Sequence, residues 1–350
     1  MYREPLPTRR VLRKGLLGGR INLMESEQGK IPPPPGLIAT FTKGFDTIAN
    51  NVTVIVLPVI LDLFLWLGPH LHLKQLLEQV FAQFSNLSTP PASLGLDPAQ
   101  MQQVWAQFLD QFNLFSLLRT FPVGITSLMS GRMPIQTPFG LPLDLEAASF
   151  FNAMGWWLVL AISGWILGSV YFYWVSGVAL KPQQRSFTRS ITQAILLSVI
   201  WLTLLFIFGL PAFLFFSMLA LISPLLAEAA MLIFGLLSLW LALPIFFSPH
   251  GIFTYKQNAF MAILNSLRMV RYTLPVSGLF LLSTIIISQG LDFLWRTPPE
   301  NSWLTLVGIA GHAFISTAIL ATSFIYYRDV NAWLQTVADQ LKTQTRTIRA

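Results

Sequence analysis

Asp62, Glu228, Asp292 and His312 are the only Asp, Glu, Lys, Arg or His side chains in six long apolar runs of a 350-residue chain. An ionisable group inside a bilayer costs several kcal/mol, so it is expected to face the interior, to be paired or to be functional. Asp62 and Asp292 lie towards the ends of their runs, and Glu228 lies close to the start of its own. Drawn together, the three acids would form a cluster able to hold a cation or a proton. His312, with Gly308, Gly311 and Ser316 nearby, would be a proton-relay partner to one of them. The plainer chemistry is that the acids cap helix ends or meet interfacial water, and that His312 is a neutral hydrogen-bonding group. Both readings stay open at the level of the sequence.

Other chemistry is poorly represented. There is no cysteine, which removes disulfides, thiolate nucleophiles and thiolate metal sites. No G-x-S-x-G, Walker or H-E-x-x-H pattern occurs. His70 and His72 are two residues apart, which on a helix turns them to different faces, and His250 falls in a basic connection, so no metal site is expected. No catalytic residue and no cofactor site are assigned. The glycines of Gly15–Gly19 follow no strand and open no clear helix, so phosphate binding is not expected there.

The elements that must position these residues are membrane spans. Hydrophobic residues make up 54% and charged residues 11% of the chain, against about 25% charged in soluble domains. The apolar runs are continuous, not alternating, which excludes a β-barrel and predicts an all-α, polytopic membrane protein. Six transmembrane helices are expected at about 47–67, 154–180, 191–210, 225–247, 274–294 and 303–327. Of the 22 Lys and Arg, 18 lie in the N-terminal segment, the second and fourth connections and the C-terminal tail. Lys74, Arg119, Arg132 and Arg296 lie on the other side. Cytoplasmic loops collect Lys and Arg, so both termini are expected in the cytoplasm. The same bias accounts for the net charge of +7 without nucleic acid as a partner. The first 30 residues show no cleavable signal, so the first span is expected to direct insertion.

Three domains follow. Residues 1–35 form a basic tail ending in Pro32–Pro35, which favours a polyproline II spacer. Residues 36–327 form the membrane domain, with an external insertion over 68–150 expected to hold helices near 73–84 and 97–112. Residues 328–350 form an amphipathic cytoplasmic tail. Residues 191–247 contain no Lys, Arg, Asp or His. Their length suits three crossings, but the basic segments on both sides demand an even number, so two are expected, with 211–224 as a helix end or a short re-entrant piece. Amphipathic in-plane elbow helices are read before spans one and five, at Leu37–Ile48 and Phe260–Val270. There Lys43, Arg268 and Arg271 are candidate contacts to anionic lipid headgroups. The two spans also share a late signature, Leu61–Trp66 and Leu291–Trp295, which suggests an internal repeat.

The segment Gly36–Pro69 and the stretch 254–295 carry a resemblance. Ala262, Ser266, Arg268, Val270 and Arg271 fit the form A-x-x-x-S-x-R-x-V-R leading into a span. This resembles the membrane-domain family attached to some glycerophosphodiester phosphodiesterases and found as stand-alone bacterial proteins. The resemblance covers about a third of the chain. It implies a six-helix membrane domain in a bacterial inner membrane, without the catalytic barrel, for which no soluble stretch is long enough. The expected role is a non-enzymatic domain that interacts with membrane lipids, with another membrane protein or with a second copy. The rival is a transporter or permease component using the four intramembrane groups. A third, weaker reading is an intramembrane enzyme acting on lipids through the same acids.

Overall fold

A computed structural model describes residues 32–76, 112–181 and 186–349. Among the described residues five helices are long and apolar enough to cross a membrane, and a sixth is added if the bent pair at the start is one span. The helices expected near 73–84 and 97–112, and the glycines near residue 15, fall largely or wholly outside the described residues.

The first apolar run is two helices. Helix α1 (Leu37–Ala49) meets the segment Val52–Leu67 at an angle of 89°. The bend has a local cause. Asn50 and Asn51 turn their side-chain amides back onto the carbonyls of Asp46 and Thr47, both at 2.8 Å, which occupies acceptors that the helix would otherwise extend through. The β-branched Val52-Thr53-Val54 then adopts a 3-10 turn (Val52–Ile55) before α2 (Val56–Leu67). Thr40, Gly44 and Ile48 recur at four on the buried face of α1. Gly44 is there because a Cβ would lie 2.8 Å from the Thr322 Cα on the last helix. The elbow expected from the sequence is therefore packed onto the bundle, with Lys43 on its exposed side.

After α2 the chain forms strand β1 (His70–His72), a 3-10 turn (Leu114–Leu118), a single turn α3 (Met129–Arg132) and strand β2 (Asp144–Glu146). The two strands pair in parallel, with His70 opposite Asp144 and His72 opposite Glu146. This small sheet is an addition to an otherwise helical fold among the described residues. Its residues are separated by a long insertion, so local periodicity could not reveal the pairing.

Helices α4 (Phe150–Leu180), α5 (Phe187–Ile222), α6 (Pro224–Tyr255), α7 (Ala259–Trp295) and α8 (Thr305–Arg349) follow. Their starts obey capping chemistry: Ser149, Ser223 and Asn258 accept hydrogen bonds from amides three residues on, and Pro224 opens α6. Residues 191–247 lie on a hairpin of two helices, and 211–224 is mostly the end of α5, with Pro211 inside it. At 36 residues α5 is about 54 Å long, well beyond a hydrocarbon core of about 30 Å. Helix α6 runs on to Tyr255, so His250 sits in a helix, fully covered, with Nε2 2.7 Å from Ser323 Oγ on α8. It is not in a loop. Helix α7 is broken at Thr273, two residues before Pro275, which separates the second elbow from the span beyond. Arg268 and Arg271 lie exposed on that elbow.

The core is aromatic where α6, α7 and α8 meet. The rings of Phe280 and Tyr326 stack with centroids 4.1 Å apart, and Tyr326 shares a 3.1 Å hydrogen bond with Ser277. The C-terminal tail continues α8 as one helix rather than starting a new one. Within the unit formed by the two terminal segments, Trp333 Nε1 donates to the Pro32 carbonyl at 2.7 Å.

Candidate functional site

The site is built around a strap, residues 113–132, that is inserted among the helices. Val123, Ile125, Leu128 and Met129 are buried. The strap crosses α4 at Gly164 and Gly168. A Cβ on Gly168 would stand 2.6 Å from the Gly124 Cα, and one on Gly164 would stand 2.7 Å from the Leu118 carbonyl oxygen. These two glycines follow the small-x-x-x-small spacing of helix–helix contacts. Here they admit an irregular segment instead. Both lie about halfway along the 31 residues of α4.

Irregular backbone among apolar helices needs internal partners for its amides, and Asp62 supplies them. Its side chain is wholly buried. It accepts from the Ser127 hydroxyl at 2.5 Å, from the Leu128 amide at 3.1 Å and from the Met129 amide at 3.0 Å. The strap is tied further by Thr126, which donates to Ser316 on α8 at 2.8 Å. At the far end of the strap, Arg132 bonds the Pro298 carbonyl and lies 3.6 Å from the Glu300 carboxylate. Arg296 donates to the Gly131 carbonyl at 3.4 Å. Two of the four minority-side cations therefore fasten the strap to the α7–α8 connection.

His312 and Asp292 form a direct pair, Nδ1 to Oδ1 at 2.7 Å, with both side chains largely covered. Nε2 of His312 is buried and has no hydrogen-bond partner among the described residues. The strap links this pair to Asp62: Ser127 donates to the Asp62 carboxylate, and its neighbour Thr126 reaches Ser316, one helical turn on from His312. Three of the four expected groups thus share one neighbourhood. Glu228 does not join them: it is exposed near the start of α6. The late signatures of α2 and α7 converge as well. Trp66 donates to the Glu300 carbonyl at 2.8 Å, and the Trp295 ring lies over Gly311.

Beside the strap a groove of about 380 Å³ opens between α4, α5 and α6. Trp157, Trp165, Trp201 and Leu204 contribute to its apolar wall, with Phe208 and Leu241 near the hairpin. Arg119 and Thr120 of the strap line the same groove. Arg119 is exposed, and its guanidinium reaches the Ser130 hydroxyl at 3.3 Å. Trp165, Leu204 and Leu241 are each near the middle of their helices, so Arg119 is a cation at mid-helix height. The sequence assigned Arg119 only to a loop. Nothing local in the sequence could show that the loop returns into the bundle.

His70 and His72 were expected to diverge. They lie on a strand, where residues two apart share a face, and their ring centroids are 5.9 Å apart. Burial, and secondly the neighbouring His72, hold the His70 imidazole below the usual histidine range, so its neutral form is favoured. Comparison with family models, with curated proteins and with solved structures finds no match to this chain.

Proposed function

We propose that this chain is a multi-pass protein of a cell membrane, with both termini in the cytoplasm, that binds lipids carrying an anionic headgroup. The observation that carries this reading is Arg119 in the groove. A cation among apolar helices calls for an anionic partner, and the groove beside it offers tryptophan and leucine walls to an acyl chain. The phosphate of a net-anionic phospholipid, or a carboxylate, with no headgroup cation competing for it, would satisfy the guanidinium through hydrogen bonds of about 1.5–3 kcal/mol each. The exposed Lys43, Arg268 and Arg271 on the two elbows add a second, basic surface suited to anionic headgroups on the cytoplasmic side. The partial resemblance to the membrane domain of glycerophosphodiester phosphodiesterases is in keeping with a lipid-facing role.

The test is lipid retention and thermal stabilisation of purified protein in a mild detergent. Phosphatidylglycerol, phosphatidylcholine and oleate are compared with wild type and with Arg119→Gln. Preference for phosphatidylglycerol or oleate over phosphatidylcholine, reduced about tenfold or more by Arg119→Gln, is expected. Which of the two anionic amphiphiles wins identifies the headgroup. Equal binding of all three, untouched by the substitution, refutes the reading.

A transporter reading has one observation behind it: the buried, unpartnered Nε2 of His312 beside Asp292 and Asp62. Proton-driven flux in proteoliposomes, abolished by Asp292→Asn, would favour it over lipid binding.

A further inference from the structure

The small parallel sheet brings together His70, His72 and Asp144, whose ligand atoms all lie within 4.8 Å of one another. We infer that these three side chains form a divalent metal site, with zinc as the fitting ion. The donor set is two imidazoles and one carboxylate, a combination that zinc accepts with a fourth position left to water. One edge of the triad already has the spacing that zinc requires. Two ligands held about 2.0–2.1 Å from a tetrahedral zinc lie about 3.3–3.4 Å apart. His72 Nε2 and Asp144 Oδ1 are 3.3 Å apart.

A second observation points to an ion. His70 is only 4% exposed, and its Nε2 has no hydrogen-bond partner among the described residues. A buried polar atom without a partner is unfavourable, and a metal at this position would supply one. The ligand frame is held in advance. The His70 amide donates to the Leu143 carbonyl at 2.9 Å, the Leu71 amide to Asn113 Oδ1 at 3.1 Å, and the Ala147 amide to the His72 carbonyl at 3.0 Å. Glu146, across from His72, is engaged elsewhere, accepting from the Gln75 amide at 2.7 Å.

The position explains what the ion would do. β1 directly follows α2 and β2 directly precedes α4, so a metal shared between them clips the two ends of the intervening insertion. Closing a long loop in this way restricts the unfolded chain. The site depends on strand geometry and on none of the residues in the groove.

Tag-free, full-length protein in detergent is stripped with EDTA, dialysed and titrated with zinc against a chromophoric chelator. Metal content and thermal unfolding are followed in parallel. Wild type is expected to take up one equivalent and to unfold at a higher temperature when loaded. Asp144 is largely exposed, so Asp144→Asn should elute from a sizing column like wild type. It should bind zinc more weakly by at least the roughly 10–100-fold that follows loss of an outer-shell partner. His72→Gln should do the same, and cobalt loading should give visible d–d bands only in wild type. Substoichiometric zinc in wild type, or equal affinity in Asp144→Asn, overturns the site.

Discussion

Removing the Asp62 carboxylate should loosen the strap from the bundle. Asp62→Ala leaves the Leu128 and Met129 amides buried without their acceptor. Each stranded amide costs about 1–3 kcal/mol, or about 2–6 kcal/mol for the pair. The Ser127 hydroxyl can rotate to a new acceptor and is left out of that sum. Alanine also escapes the desolvation of a buried carboxylate, which offsets part of the loss and leaves about 2–4 kcal/mol. Asp62→Asn keeps one acceptor oxygen and should lose about half as much. The assay is unfolding in mixed micelles followed by tryptophan fluorescence, with tryptic cleavage after Arg119 and Arg132 as the local readout. Asp46→Ala, at an exposed position on α1, serves as control and should stay within about 0.5 kcal/mol of wild type. If Asp62→Ala also stays within that range, and the tryptic pattern is unchanged, the carboxylate does not hold the strap. Apolar contacts alone would then do so.

Two further predictions concern the strap and the sidedness. Gly168→Ala should destabilise by about 1–3 kcal/mol, because its methyl group meets the backbone of Gly124, which cannot swing aside; the same micelle titration measures it, and a neutral outcome would mean that the strap does not rest on α4. Because the chain has no cysteine, single cysteines need no background removal. A cysteine replacing Ser302 should react with an impermeant thiol reagent from outside, and one replacing Thr343 only after permeabilisation; the reverse pattern would invert the orientation.

Much of the helical architecture was legible because apolar length and charge are local properties. Two elements rather than three over 191–247 were expected from the basic flanks, and two helices, α5 and α6, form there. The break at Thr273 falls between the elbow read at Phe260–Val270 and the apolar run read from 274, and the bend after α1 falls where the amphipathic pattern gives way to a continuous apolar run. Helix ends were less legible. His250 was read into a loop because it falls in the basic connection after the fourth apolar run, yet α6 continues to Tyr255 with Pro244 and Pro249 inside it.

The chemistry of the acids divides in the same way. Hydropathy marked Asp62, Glu228, Asp292 and His312 as costly, since no other Asp, Glu, Lys, Arg or His interrupts the apolar runs, and left open whether they cap helix ends or meet one another. Their partners were a tertiary matter. Asp62 serves amides more than sixty residues away, and Asp292 meets His312 across the α7–α8 connection. Arg119 gained significance only when its loop returned to the middle of α4, and His70 and His72 shared a face only once Asp144 had drawn them into a strand. Hydropathy and charge act residue by residue and can be read in order along a chain. Hydrogen-bond satisfaction is a demand that any distant segment can meet, so only the folded arrangement decides which one does.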